Sequence, residues 1–226
     1  MQGYLSLWDE YGGQMLSAFW GNLQLTFWAA IGSLVLGTIL ALMRISPVPS
    51  FRAFGTSYVN IFRNTPLTII MTFGVLVLFG VFKVQFSSDF NLNFFQIAIV
   101  GLTIYHSAFV CEAIRSGVNT VPLGQAEAAR AIGLSFLPAA RMIILPQAFR
   151  GAIAPLGNVL IALIKNSTVA VAGSVAEISG LMKTMLELRA DVGILIFLTV
   201  AVFFVIVVIP IGVLTTHLSK KLAVAR

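Results

Sequence analysis

The sequence predicts an all-α integral membrane protein of about five transmembrane helices with one long polar insertion. Three observations carry that expectation. Of 226 residues, 58% are hydrophobic and only 10% charged, where a soluble domain carries roughly 25% charged residues. Apolar runs at residues 23–43, 66–82, 94–113, 152–172 and 192–214 approach the ~20 residues needed to cross a bilayer. The 14 Lys and Arg residues are also one-sided. Arg44, Arg52, Arg63, Arg115, Arg130, Arg141, Arg150, Lys220, Lys221 and Arg226 fall in one set of connecting segments. Lys83, Lys183 and Arg189 fall in the other, and Lys165 lies inside a span. Basic residues concentrate on the cytoplasmic side, so the N-terminus is expected outside and the C-terminus inside. The net charge of +6 is then a topology signal, which argues against nucleic-acid binding.

Taken in order, residues 1–20 are expected to form an amphipathic lead-in at the outer surface. Tyr4, Leu5, Leu7, Trp8, Tyr11, Phe19 and Trp20 suit an interfacial belt. This segment has acidic Asp9 and Glu10 but no basic region, and the apolar run after it is too long for a secretory leader. In the first span Ala29, Ser33, Gly37 and Ala41 recur every fourth residue, a spacing that lets helix backbones approach closely. Internal packing and a subunit interface are both open for that stripe. The Ser46-Pro47-Val48-Pro49-Ser50 turn ends the helix, because proline cannot continue a helix interior. The second span is short and is expected to extend back through Ile61 or across Arg63. Residues 83–93 make a short outer loop and 114–151 the long insertion. Residues 173–191 suit an amphipathic outer helix facing an extracytoplasmic partner, with Ile178, Leu181, Met182, Met185 and Leu186 at helical spacing. The single cysteine, Cys111, excludes an internal disulfide.

Within the insertion, Pro122 suits a helix start and Gly133 a left-handed helix end. The alanines between them favour helix and leave a slim surface, the shape of a piece that fits a groove and transmits force. Ser135 is placed to cap a second helix with Pro138 in its first turn. Glu127-Ala128-Ala129, then Gly133 after residues 130–132, then Ile143-Ile144-Leu145-Pro146 after residues 134–142, resemble the EAA loop of ABC importer permeases. Further strings extend the resemblance to the polar amino-acid importer permeases: Phe62-Arg63-Asn64-Thr65-Pro66-Leu67, Glu112-x-x-Arg115, Pro122-Leu123-Gly124-Gln125, Leu145-Pro146-Gln147-Ala148, and Leu156-Gly157-Asn158 followed by Lys165-Asn166-Ser167-Thr168. Among these the chain looks most like the actinobacterial glutamate permeases.

The resemblance implies a type I ABC importer architecture, with residues 1–226 as one permease domain in a bacterial plasma membrane. It implies that Gly124, Glu127, Ala128, Ala129, Gly133, Ile143, Leu145 and Pro146 couple to a separate ATPase dimer. ATP and magnesium would sit on that partner, and no cofactor on this chain. A second permease subunit is implied, a heterodimer by the glutamate-type resemblance and a homodimer as the alternative. An extracytoplasmic binding protein would deliver the cargo. Glutamate is the expected substrate, with glutamine, aspartate, histidine or arginine as alternatives.

Lys165 is the foremost candidate within the membrane, since a charge at bilayer depth costs at least ~2.5–3.5 kcal/mol unless it faces a cavity or partner. The stretch holding Asn158, Lys165, Asn166, Ser167 and Thr168 suits a path for a zwitterion. The competing role for Lys165 is a structural pair with Glu112 or a backbone carbonyl. Asn64 and Thr65, before Pro66, either line the path or cap the second span. His106 either lines the path or sits satisfied in the core, and Glu112 and Arg115 are spaced to pair locally (i, i+3). No G-x-x-x-x-G-K-[ST] phosphate loop, metal-spaced cluster or Ser/His/Asp set is present in the sequence, so the chain is not expected to be an enzyme. A secondary transporter would need an inverted repeat and ion-site carboxylates in its spans. Only Glu112 lies in a span and no repeat is detected. The polar stretch in the fourth span argues against a mere membrane anchor.

Overall fold

Helix α1 runs unbroken from Gln2 to Ile45, so the expected lead-in and first span are one rod. The computed structural model describes residues 2–222, with side chains from residue 6 onward. Tyr4 and Leu5 of the lead-in, and Ala223, Val224 and Arg226 at the other end, lie outside the described side chains. After α1 come α2 (Pro49–Arg63), α3 (Leu67–Phe73) continued by a π-turn (Gly74–Phe79), and α4 (Phe90–Val118). The insertion folds as α5 (Leu123–Ala131), α6 (Phe136–Ala139), a π-turn (Ala140–Ile144) and α7 (Leu145–Gly151). Then follow α8 (Ile153–Asn166) with a 3₁₀ extension (Ser167–Gly173), α9 (Ile178–Leu188), and α10 (Gly193–Leu222). Among the described residues four helices are long and apolar enough to span: Ser6–Ile45, Phe90–Val118, Ile153–Gly173 and Ala190–Leu222. A fifth crossing exists if α2 and α3 are taken as one broken span.

The second span reaches back through Ile61 only as a broken pair, in which α2 and α3 with its π-turn are interrupted at residues 64–66. Pro66 has no N–H to give to the preceding turn, which is a sufficient cause for such a break. The open end of α2 is closed by side chains instead. Asn64 Nδ2 donates to the Asn60 carbonyl at 2.7 Å and Thr65 Oγ1 to the Ile61 carbonyl at 2.8 Å.

Contacts divide the chain into two compact units, each assembled from separate stretches. One comprises residues 1–30, 66–102 and 162–210. Its core gathers Leu7, Tyr11, Met15 and Phe19, spaced one helical turn apart along α1, against Ile178 and Met185 of α9 and Ile196 and Val200 of α10. The Phe19 ring packs tilted against Phe203 and edge-on against Phe204, with centroids 5.2 and 5.3 Å away. Tyr11 and Phe19 are therefore core residues rather than members of an interfacial belt, while Trp8 and Trp20 remain exposed. The apolar stripe of α9 is likewise turned into this core.

The other unit comprises residues 31–65, 103–161 and 211–226. Its core is built from Leu40 and Ala41 of α1, Val59 of α2, and Ala108, Val110, Cys111 and Ile114 of α4, with Leu145, Phe149, Leu156 and Val159 against them. Tyr58 Oη donates to the Ile104 carbonyl at 2.9 Å and lies 3.0 Å from Ser107 Oγ, tying α2 to α4. Ala29, Ser33, Gly37 and Ala41 are all buried within this chain, so the small-residue stripe is internal packing.

Candidate functional site

The insertion is held close at its base and open at its tip. Pro122 precedes α5 with φ −58° and ψ 134°, the conformation its ring favours. Gly133 ends the segment at φ +83°, a left-handed backbone that a Cβ makes costly. Its N–H returns to the Arg130 carbonyl and that of Leu134 to Ala129, at 3.0 Å each, which satisfies the last carbonyls of the helix. Ser135 stands at the N-cap position of α6 but makes no side-chain capping bond, contrary to expectation. Gly124, Glu127, Ala128, Gly133 and Pro146 are exposed, Ile143 and Leu145 partly so, and Ala129 is buried. Around them Leu123, Ile132, Leu137 and Met142 are 83%, 75%, 62% and 68% exposed. These bare apolar side chains lie on a segment that is not among the candidate spans, where exposed apolar surface of this kind is uncommon. At the base, a side chain at Gly117 of α4 would strike the Ala148 carbonyl of α7. Thr120 Oγ1 donates to the Gly117 carbonyl at 2.7 Å beside Gly151.

The polar stretch after α8 divides into buried and exposed members. Lys165 and Asn158 are exposed, Asn166 and Thr168 partly exposed, and Ser167 fully buried. Among the described residues no ion pair or hydrogen bond is made by the Lys165 ammonium. Ser167 Oγ donates to the Ile164 carbonyl at 2.7 Å and accepts from Asn22 Nδ2 at 2.9 Å. Asn22 also donates to Glu177 Oε2 at 3.0 Å and accepts from the Ile178 N–H at 3.0 Å. Glu177, 1% exposed, caps α9 by accepting from the Ser179 and Gly180 N–H groups at 2.9 Å each and from the Ser179 hydroxyl. No motif in the sequence points to this network. The available signal was Asn22, an amide in an otherwise apolar span, where polar groups find partners.

The structural alternative for Lys165 loses one partner, because Glu112 is already engaged. Its carboxylate accepts from Arg44 Nη1 at 2.5 Å and Arg115 Nε at 3.3 Å, with Arg63 Nη1 at 3.6 Å. The local i, i+3 pair is present, yet the shortest contact comes from α1, 68 residues away. Asn64 is exposed and Thr65 partly so, both bonded back to α2 as described. His106 is 1% exposed, with Tyr105 at 5.1 Å between ring centroids.

Residues 33–224 match the family model described as binding-protein-dependent transport system inner membrane component. The chain is 47% identical to the glutamate transport system permease protein GluC of Corynebacterium efficiens, covering 98% of this chain and 99% of that protein. It is 32% identical to the glutamate/aspartate import permease protein GltJ of Escherichia coli, over 71% of this chain and 68% of that one. A solved amino acid ABC transporter superposes with TM-score 0.80 at 25% identity, covering 96% of this chain and 98% of its own. An inward-facing MetNI methionine ABC transporter superposes with TM-score 0.72 at 21% identity, covering 93% and 96%, a likeness of fold. The chain thus belongs to the family of binding-protein-dependent transport system inner membrane components: it is a multi-pass, all-helical ABC permease of the inner membrane, not an enzyme.

Proposed function

We propose that this permease imports an acidic amino acid, glutamate first, and that the insertion is the handle by which a separate ATPase drives it. The observation that carries the reading is the segment from Leu123 to Pro146, which joins the EAA spacing to a bare apolar surface on a helix ended by a left-handed glycine. Full-length likeness to glutamate permeases supports the cargo. On this account the N-terminus is outside and the insertion faces the cytoplasm. Gly124, Glu127, Ala128, Ala129, Gly133, Ile143, Leu145 and Pro146 form or position the ATPase contact, and ATP with magnesium stays on that partner. A second, non-identical permease completes the path, and an extracytoplasmic binding protein brings the cargo.

Asn64, Thr65, His106, Asn158, Lys165, Asn166, Ser167 and Thr168 are the proposed path residues. Roles within that group differ. Lys165, whose ammonium has no anion on it among the described residues, is the residue for the cargo carboxylate. Ser167, already buried and bonded, positions its neighbours. ATP binding draws the two ATPases together and moves the insertion, and hydrolysis resets it. Differential binding to the two states supplies the switch.

The test is uptake by proteoliposomes holding both permeases and the ATPase, with binding protein added. Labelled glutamate should enter only with ATP inside, and unlabelled aspartate should compete better than arginine. Uptake driven by a proton or sodium gradient without ATP would sink the coupling reading. Preferential uptake of glutamine or arginine would move the cargo while leaving the coupling intact.

A further inference from the structure

The Glu112 cluster is unusual in that three helices end on one carboxylate. Arg44 comes from the last turn of α1, Arg63 from the last turn of α2, and Glu112 and Arg115 from α4. The three guanidiniums are not equivalent. Arg44 is 11% exposed, makes the shortest contact, and also reaches Cys111 Sγ at 3.9 Å. Arg63 is 47% exposed, 3.6 Å from the carboxylate, and rests over the Phe109 ring at 5.7 Å. A desolvated, short charge pair is costly to break, whereas an exposed one exchanges with water cheaply. One arm is therefore fixed and another exchangeable.

Glu112 also lies about one and a half turns before Gly117, where α4 and α7 touch with no space for a methyl group. Close-packed contacts transmit displacement because they cannot absorb it. A push on the insertion reaches α7, then the end of α4, then Glu112. Arg63 stands next to Asn64 and Thr65, the side chains that close α2.

We propose that Glu112 is a positioning residue for transport: anchored to α1 through Arg44, it passes movement of the insertion to the end of α2 by making and releasing Arg63. The proposal rests on the insertion being the ATPase handle. It concerns a step that the handle alone does not specify, namely how the movement leaves α4.

The measurement is uptake per ATP hydrolysed in proteoliposomes of the full complex with binding protein, comparing the unaltered protein with R63Q, E112Q, E112D and R115Q. R63Q should assemble normally, keep basal ATP hydrolysis within twofold, and lower uptake per ATP at least fivefold. E112Q should lower it at least as far, E112D should recover most of it, and R115Q should change it less than twofold. Wild-type uptake per ATP in both R63Q and E112Q overturns the proposal. So does a lower melting temperature or yield with unchanged uptake per ATP in the surviving complex, which would mark a purely structural cluster. Should E112Q fail to assemble, R63Q decides alone. Absence of ATP-driven uptake in the unaltered complex would strike the handle instead.

Discussion

Glu177 and Glu112 are two carboxylates held in different ways, and each belongs to a different unit of the chain. Glu177 is 1% exposed and, among the described residues, held by neutral donors: an asparagine amide, a hydroxyl and two backbone N–H groups. Glu112 is partly exposed and held by three arginines at graded distances. Neutral donors at fixed positions of the backbone have one good geometry, so the Glu177 network behaves as a pin. Long cationic side chains reach the same anion from several geometries, so the Glu112 cluster tolerates movement. Charge density alone does not mark rigidity; the donors' freedom does.

The largest expected effect breaks the pin. Replacing Glu177 by alanine removes the cap of α9 and leaves Asn22 Nδ2 short of an acceptor, a combined loss of about 2–4 kcal/mol. Thermal unfolding of the detergent-solubilised complex should shift down clearly. An unshifted transition would mean the network is not a pin. A smaller effect is expected at Gly133, where valine must adopt φ +83° at a cost of about 1–2 kcal/mol. Because the strain falls at the end of α5, co-purification of the ATPase should drop more than permease yield does. Equal losses of both would assign Gly133 to folding alone.

At the open end of α2, Thr65→Val removes one bond to the Ile61 carbonyl, worth about 1 kcal/mol. A minor decrease in thermal stability, with uptake altered in proportion to yield, is the outcome if Thr65 only caps. Uptake lost beyond yield places its hydroxyl on the path. The smallest stability change belongs to Lys165→Met. Among the described residues its ammonium makes no ion pair to lose, so the melting transition should stay within error while the Michaelis constant for glutamate uptake rises. A clear destabilisation would reveal a structural partner.

How far these features were legible in the sequence follows from the range of the interactions behind them. Spans are local sums of hydropathy, so four of the five runs coincide with long helices. The position of Gly133 was legible because a positive φ is a single-residue preference. The second span was half legible: its short apolar run pointed back through Ile61 to α2, but the angle at which α2 and α3 break is not a property of any local pattern. Tyr11 and Phe19 were misplaced because aromatic residues near a span end suit an interface and a core equally, and only the packing of α9 and α10 decides. Arg44 read as a topology marker, since nothing local joins it to Glu112, 68 residues on. Glu177 escaped notice because glutamate is not a favoured helix cap, and its partners come from remote segments.

The handle itself is tested most directly by a cysteine at Glu127. The chain's one native cysteine, Cys111, is buried, so E127C gives a single accessible thiol. A membrane-impermeant thiol reagent should label it in inside-out vesicles and not in intact cells, and bound ATPase should protect it. Labelling from outside the cell, or equal labelling with and without the ATPase, would contradict the account.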